Sequence, residues 1–445
     1  MKQRFTITAG IVLAMLVASI DTTILQTTMP VIAGELGQFH LFAWSFTSYV
    51  LASTSLMPIA GRMADLFGRK QLFISGVTLF LIGSFLCGLA ASMVQLIVYR
   101  AVQGLGAGVM MPLVQIIAGD LYSVEKRGRI QALFTSMWML SGLMAPVLGA
   151  FFVEVMSWRW IFFINVPVCL CCLAMIIPYR DVYERDRKPV DVLGAILFVA
   201  GATSLLFVTA VERYHLVWLT IGIVVLTCFV IHERRYPSPM IPAEMFARPA
   251  ITWMLVNNFI ICVAIFGLPN YLPLYLQDQG FSVLESGLVL AFISVGWMVA
   301  SVSSGKGVIR YGYRRLLIVG NGLLLTAAIW LVVTRWIASY LFLFAGLIVL
   351  GTAFGLIFTV SIIGSQQLVS EKDKGVSTSM QLFVRNTGLA VGVSVMGLMM
   401  NESANIVAGM HTVYVYGLVG SVLAFAAALF VRESVHMGEY REAVE

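Results

Sequence analysis

The chain has 445 residues, of which 60% are hydrophobic and only 11% are charged. Soluble domains are about 45–50% apolar and roughly a quarter charged, so this composition excludes a single soluble core and predicts an integral membrane protein. The formal net charge of +6 would suit nucleic-acid binding, but no polar connector is long enough to form a domain for it. The six cysteines lie inside apolar runs without metal-ligand spacing, so we predict no metal site and no cofactor.

The apolar runs predict fourteen membrane spans, since a helix needs about 20 apolar residues to cross a core of about 30 Å. The basic start resembles a signal peptide, but the first run continues past Asp21 to about Ile32 without a small-residue cleavage site. We therefore expect a retained first span. The spans are predicted near residues 6–33, 44–65, 71–91, 93–122, 128–155, 159–179, 190–211, 215–232, 250–276, 283–304, 314–333, 337–368, 375–400 and 410–431.

The lysines and arginines predict the topology, because cytoplasmic connectors are enriched in them. With a cytoplasmic N-terminus, the bases fall on inner connectors except for Arg159, Arg213 and Arg335 outside, and Arg100 and Arg385 within spans. One span more or fewer would scramble this sorting. We therefore expect a multi-pass protein of a cell membrane, the bacterial plasma or inner membrane, with both termini cytoplasmic.

Two features predict a repeated architecture. The longest polar connectors, 180–189 and 233–249, bracket spans seven and eight, and the glycine and base spacing of residues 61–70 returns at 305–314. We expect a six-helix half over 1–180, two linking spans with their connectors over 181–249, and a second six-helix half over 250–445. Such repeats are typical of transporters. No phosphate-binding GxxxxGK[ST] segment is present, so we expect no enzyme and no ATP-driven step, but passive or ion-driven transport.

Charges inside the bilayer are costly and are therefore candidates for function. At 1.5 Å per residue, Asp21 lies roughly 22 Å from the inner surface and Arg100 about 10 Å from the outer one, so both reach a similar depth. They can form a fixed structural salt bridge, or Asp21 can exchange Arg100 for a proton or a cationic substrate. Since arginine stays protonated, the acid is the partner that can take up a proton.

Other polar and adaptable side chains are candidates for a substrate cavity, although packing or lipid contact is an alternative for each. Arg385 lies mid-span, one turn after Gln381, and methionine repacks readily around varied ligands. In span five, a proline among small residues predicts either a kinked helix or simple close packing. The cavity candidates are Gln26, Gln103, Met137, Trp138, Asn258, Gln381 and Arg385.

Several motifs together resemble one family. The 61–70 loop resembles the signature loop of the major facilitator superfamily, and residues 100–108 resemble its fourth-helix motif. Residues 142–150 resemble its fifth-helix antiporter motif, with alanines replacing two glycines. The segments 21–30, 158–167 and 385–388 resemble the fourteen-span drug:proton antiporters of that superfamily.

The resemblance implies an all-α integral membrane protein with the major facilitator fold, two six-helix bundles plus two linking transmembrane helices. It implies a proton-driven exporter of small amphipathic, often cationic compounds, working by alternating access, with no cofactor beyond the proton gradient. We expect a monomer. By this resemblance, Asp21 and Arg100 couple protons, Gly61, Asp65, Gly68, Arg69 and Lys70 form a conformational latch, and Gly142, Pro146 and Gly149 form the antiporter kink.

In the family, the loop acid contacts the start of a later helix, here near Lys374 and Gly375. The chain departs from the pattern at Leu66, where a base is usual, and at Ile309, which replaces the acid in the second copy. Two alternatives stay open. The same fold can export one dedicated metabolite, lipid or siderophore, or the chain can be a membrane sensor that transports nothing.

Overall fold

The computed structural model describes residues 2–37, 41–181, 191–210, 214–236, 239, 241, 243–281, 283–337, 339–370 and 373–431. Within these residues the regular elements are helices, and no strand occurs. The helices are α1 Lys2–Leu36, α2 Phe42–Phe67, α3 Arg69–Gly88, α4 Met93–Leu121, α5 Val124–Phe151, α6 Trp160–Phe163, α7 Asn165–Ile176, α8 Val192–Ala210, α9 His215–Glu233, α10 Ala243–Phe246, α11 Pro249–Ile261, α12 Leu272–Asp278, α13 Val283–Val333, α14 Tyr340–Gln367, α15 Lys374–Asn401 and α16 Ile406–Leu429.

The apolar helices account for the predicted membrane character. In the described part of the chain, 10 helices are long and apolar enough to cross a membrane. One of these, Leu288–Val333, covers two predicted spans, whereas Trp160–Ile176 and Val192–Val208 are apolar but shorter. The all-helical membrane architecture is therefore confirmed, and the count of fourteen stays a prediction.

Two glycines at matching places in the repeated loops break the helices in the same way. Gly68, between α2 and α3, has φ 102° and ψ 137°, and Gly312 interrupts α13 with φ 81° and ψ 166°. Positive φ is strained for residues that carry a Cβ atom. Glycine at this position therefore lets the chain turn sharply between two spans in each copy of the loop.

The chain divides into two compact units. Unit 1 comprises 1–121, 137–243 and 370–383, and unit 2 comprises 122–136, 244–369 and 384–445. Helices α5 and α15 therefore each contribute residues to both units. The predicted bundle limits, 1–180 and 250–445, stay a prediction.

The two helices predicted to link the halves belong to unit 1. Helix α8 packs on α2, where the Ser55 and Thr203 hydroxyls lie 2.9 Å apart and the Trp44 and Phe207 rings are 5.5 Å apart. At the start of α8, Asp191 accepts a hydrogen bond from the Gly194 amide at 2.8 Å. The two contacts with α2 hold α8 against the first unit, and the Asp191 hydrogen bond caps the start of α8.

Candidate functional site

Glycines on α4 bring its backbone close to α2 and so position the site in unit 1. A methyl group built on Gly104 would lie 2.5 Å from the Tyr49 carbonyl oxygen, and one on Gly108 would lie 2.5 Å from that of Ser53. Only glycine permits this approach without displacing a helix. The close contact places Arg100, one turn before Gly104, beside the α2 backbone.

Asp21 and Arg100 form a direct ion pair in the interior of unit 1. An Arg100 guanidinium nitrogen lies 2.6 Å from one oxygen of Asp21. The other Asp21 oxygen accepts hydrogen bonds from the Gln103 amide at 2.7 Å and the Asn165 amide at 2.9 Å. All four side chains are buried. Both carboxylate oxygens are thus engaged, and the predicted proximity of Asp21 and Arg100 is observed.

Arg100 has further contacts that do not depend on Asp21. It donates to the side-chain oxygen Oε1 of Gln103 at 2.7 Å and to the backbone carbonyl oxygen of Ser45 at 3.5 Å. Its guanidinium also lies 4.2 Å from the centre of the Tyr49 ring, a cation–π distance. These contacts can hold the arginine in place while the carboxyl group changes its protonation state.

Asn165 lies in the 158–167 segment that resembles the antiporters, but its sequence position did not predict a place in the site. Its amide bridges Asp21 and the Ser84 hydroxyl, each at 2.9 Å, and Ser84 in turn donates to the Phe162 carbonyl oxygen. The available signal was an amide at the start of an otherwise apolar run. Gln103, predicted as a cavity residue, belongs to this same cluster.

A second polar cluster surrounds Asp65 at the end of α2. Its two carboxylate oxygens accept hydrogen bonds from the backbone amides of Gly375 and Val376, both at 3.2 Å. The first ladder bond of α15 runs from the Ser377 amide to the Asp373 carbonyl, so the two amides before it have no partner within the helix. The carboxylate of Asp65 therefore caps α15, and its negative charge also interacts favourably with the positive end of the helix dipole.

Close backbone packing brings α15 to this carboxylate. A methyl group on Gly61 would lie 2.5 Å from the Gly375 carbonyl oxygen. Asp65 lies one turn after Gly61 on α2. Any larger residue at Gly61 would therefore move α15 away from the Asp65 carboxylate. Gly61 and Asp65 thus both contact the start of α15, the contact that the resemblance implied for the loop acid. A latch at this contact stays a prediction.

Arg69 joins Asp65 to a second acid. Its guanidinium lies 3.4 Å from Asp65 and forms a close ion pair with Asp120. Asp120 also accepts a hydrogen bond from the Tyr179 hydroxyl at 2.6 Å and lies 3.8 Å from the Lys374 ammonium. Asp65, Asp120, Arg69 and Lys374 therefore form one buried network of opposite charges, and the buried Arg62 is a further base near Asp65.

Lys70 lies at the edge of the cluster. Its amide donates to the Asp181 carboxylate at 3.2 Å, as does that of Arg69 at 2.9 Å, and its ammonium group donates to the Ile177 carbonyl. Leu66, which stands where a base is usual, is only 6% exposed. The neighbouring base that contacts Asp65 is Arg69, one turn later.

The second copy of the loop packs similarly but has no acid. Gly305 approaches α5, since a methyl group on it would lie 2.5 Å from the Val124 carbonyl oxygen. Ile309 occupies the position of Asp65 and cannot accept a hydrogen bond. Gly128 approaches Gly305 as Gly375 approaches Gly61, so it is the counterpart of Gly375. It lies a full turn inside α5, where amides bond to the preceding turn. The copy therefore lacks both partners of the contact.

The predicted kink residues lie within one continuous helix. Helix α5 runs from Val124 to Phe151 through all three positions, and a π-helical turn follows at Phe152–Met156. Gly142 is exposed, with open space where a side chain would be, and Gly149 is buried. The Pro146 side chain lies outside the described residues. A kink at these positions stays a prediction.

The remaining cavity candidates are distributed over both units. In unit 1, Met137 is partly exposed, Trp138 is 44% exposed and Gln381 is buried. In unit 2, Asn258 is buried and accepts a hydrogen bond from the Ser361 hydroxyl at 3.3 Å, and Arg385 is partly exposed. The Gln26 side chain lies outside the described residues. A common cavity for these residues stays a prediction.

Comparison with known proteins places the chain in a family. The family model described as Major Facilitator Superfamily matches residues 11–393. The chain is 29% identical over 96% of its length to the multidrug transporter protein MdtP of Bacillus subtilis, covering 81% of that protein. It is 31% identical over 87% of its length to multidrug resistance protein 3 of the same organism, covering 78% of it.

A solved structure agrees in fold. The proton:xylose symporter XylE superposes with a TM-score of 0.68, covering 97% of this chain and 96% of that one at 16% identity. At that identity the likeness concerns the fold alone. The chain belongs to the Major Facilitator Superfamily, a family of membrane transporters and not of enzymes.

Proposed function

We propose that the chain is a proton-coupled exporter of small amphipathic compounds, of the fourteen-span drug:proton antiporter type. The observation that carries this proposal is the buried cluster of Asp21, Arg100, Gln103 and Asn165 in a membrane transporter. Relatives that cover most of the chain carry multidrug transport and multidrug resistance in their names, which supports export of more than one compound.

The coupling step follows from the contacts of Asp21. When the carboxylate is charged, the ion pair with Arg100 and two amide hydrogen bonds stabilise it. A proton arriving from outside would neutralise it and weaken the ion pair, while the Gln103 oxygen, the Ser45 carbonyl and the Tyr49 ring keep Arg100 in place. Release of that proton to the cytoplasm restores the pair, so each cycle can move protons inward as substrate moves outward.

The Asp65 contact supplies the conformational part of the proposal. By capping the start of α15, the carboxylate favours one arrangement of that helix, and we assign it to the outward-facing state on the family pattern. We also propose fourteen spans with both termini cytoplasmic, two six-helix bundles that rock, and a monomer in a bacterial plasma membrane. A preference for cationic substrates stays an expectation from the resemblance, with deprotonated Asp21 as the partner of the cation.

Transport in membrane vesicles tests this proposal. With wild-type protein, a panel of amphipathic fluorescent dyes should be exported when a pH gradient is imposed and should not be when an ionophore dissipates it. Asp21→Asn should abolish gradient-driven export while the protein folds normally. Asp278→Asn, which changes an exposed acid at the end of α12, is the matched control and should behave as wild type.

The outcomes also separate the alternatives. Gradient-driven export by Asp21→Asn at the wild-type rate would remove Asp21 from the mechanism. One strong signal within a broad screen of metabolites, lipids and siderophores, with no dye exported, would favour a dedicated exporter. No transport of any compound by folded protein would favour a sensor.

A further inference from the structure

The second cation inside a span, Arg385, lies close to the middle of α15. It is 11 residues after Lys374, the first residue of the helix, or roughly 16 Å along its axis. The guanidinium lies 6.0 Å from the centre of the Phe358 ring on α14, and Cys262 at the end of α11 is a neighbour. Arg385, Phe358 and Cys262 all belong to unit 2.

Arg385 differs from Arg100 in what compensates its charge. Arg100 has a carboxylate, an amide oxygen, a backbone carbonyl and a ring around it. Among the described residues, Arg385 has the Phe358 ring and neither a hydrogen-bond acceptor nor a carboxylate. A weak cation–π contact at 6.0 Å is therefore its main compensation among the described residues.

This arrangement is costly unless something else supplies the counter-charge. A charged side chain within the bilayer costs several kcal/mol when nothing pairs with it, and leucine or glutamine would fill the same place at lower cost. The side chain is partly exposed, so an external group can reach it. A guanidinium binds carboxylates through two parallel hydrogen bonds, which makes a carboxylate the best-matched counter-charge.

Aromatic rings next to Arg385 indicate the rest of the ligand. The centre of the Phe358 ring lies 5.0 Å from that of Phe266, 5.9 Å from that of Phe354 and 5.4 Å from that of Trp297. The Trp297 ring is stacked on Phe358 with an interplanar angle of 19°. Phe266 and Trp297 are partly exposed, whereas Phe354 and Phe358 are buried. Phe358, the ring over which Arg385 lies, is therefore joined to partly exposed flat apolar surface on Phe266 and Trp297, and such a surface complements an aromatic ring that carries an acid.

We propose that Arg385, with the rings of Phe266, Trp297 and Phe358, forms a binding site for amphipathic aromatic carboxylates. The inference rests on the proposed export function and extends it to a substrate class opposite in charge to the expected cations. The contacts of Asp21 agree with an anionic substrate, because Arg100, Gln103 and Asn165 already engage both carboxylate oxygens that a cationic substrate would need.

Binding to the purified full-length protein in lipid nanodiscs tests the proposal without any gradient. The probes are 2-naphthoate, its neutral counterpart 2-naphthamide, and 2-naphthylmethylammonium, with dissociation constants measured by calorimetry. Wild-type protein should bind 2-naphthoate about tenfold or more tightly than the amide. Arg385→Gln should abolish that preference, and Arg385→Lys should retain part of it, because lysine keeps the charge but not the planar fork.

Arg310→Gln is the matched control, since Arg310 also lies over a ring, that of Tyr311 at 5.2 Å, and should keep the full preference. Equal affinity of wild-type protein for acid and amide, or tighter binding of the ammonium compound, would overturn the proposal. So would an undiminished preference in Arg385→Gln. If that variant does not fold, the wild-type comparison and Arg385→Lys decide. A negative binding result would leave proton-driven dye export in vesicles unchanged. Failure of the carboxylate site can therefore be distinguished from failure of the proposed export function.

Discussion

Asp65→Asn is the substitution that most directly tests the cap on α15. The side chain keeps its shape and one acceptor oxygen but loses its charge and its second acceptor. In the wild type, the two oxygens accept from the Gly375 and Val376 amides at 3.2 Å each, and the carboxyl group is 1% exposed. The variant therefore leaves one of these buried amides without an acceptor and the other with a neutral acceptor.

The magnitude follows from these contacts. A hydrogen bond to a charged group contributes about 1.5–3 kcal/mol, and a charge at a helix N-terminus about 0.3–1 kcal/mol. We expect Asp65→Asn to destabilise the contact by about 2–3 kcal/mol. At 1.4 kcal/mol for each factor of ten, this is about a 30- to 150-fold change in the equilibrium for opening.

Hydrogen–deuterium exchange of the peptide that covers residues 373–383 measures this opening. The amides of Gly375 and Val376 should exchange about 30- to 150-fold faster in Asp65→Asn, while Asp278→Asn, the exposed-acid control, should leave them unchanged. Wild-type exchange rates in Asp65→Asn would show that the carboxylate does not hold the start of α15, and the latch would lose its basis.

Three further predictions concern the same unit. Asn165→Leu removes a donor from Asp21 and should lower the gradient-driven transport rate about tenfold without unfolding the protein; an unchanged rate would exclude Asn165 from the site. Leu66→Arg should lower the thermal unfolding temperature, because the charge would replace a buried apolar side chain. A raised unfolding temperature would instead indicate that a base at this position strengthens the latch. Gly104→Ala should destabilise the protein by about 1–3 kcal/mol through overpacking, whereas Gly142→Ala, which has open space, should be nearly neutral by the same melting measurement, and equal effects would refute the packing argument.

The fold was predictable where composition alone determines it. Apolar runs of span length require helices in a membrane, and helices cover most of the described parts of these runs. The seventh predicted span, 190–211, corresponds to α8, Val192–Ala210. The division into units was harder to predict, since α5 and α15 each contribute to both and no local pattern marks such a crossing.

The candidate site was predictable as far as depth and charge reach. Counting residues from each membrane surface placed Asp21 and Arg100 at a similar level, and they are in contact. Asn165 lies 144 residues from Asp21, and its role depends on the packing of α1 against α7, which has no signature in either segment. Hydrogen-bond partners of this kind follow from tertiary structure and not from local sequence.

Arg385 illustrates a different limit. The sequence identified a charge in mid-span but left lining and packing open, because compensation of the charge depends on the neighbouring helices. The contrast with Arg100 arises only once the partners of both arginines are known. The expected cationic substrates came from the resemblance, and the surroundings of Arg385 favour the opposite charge.

Proton release on substrate binding tests the central claim, that Asp21 couples protons to export. Purified protein in weakly buffered solution is mixed with a transported compound, and a pH indicator reports the protons released. Wild-type protein and Asp278→Asn should release protons, and Asp21→Asn should release none while it still binds the compound. Equal proton release by wild type and Asp21→Asn would contradict the account.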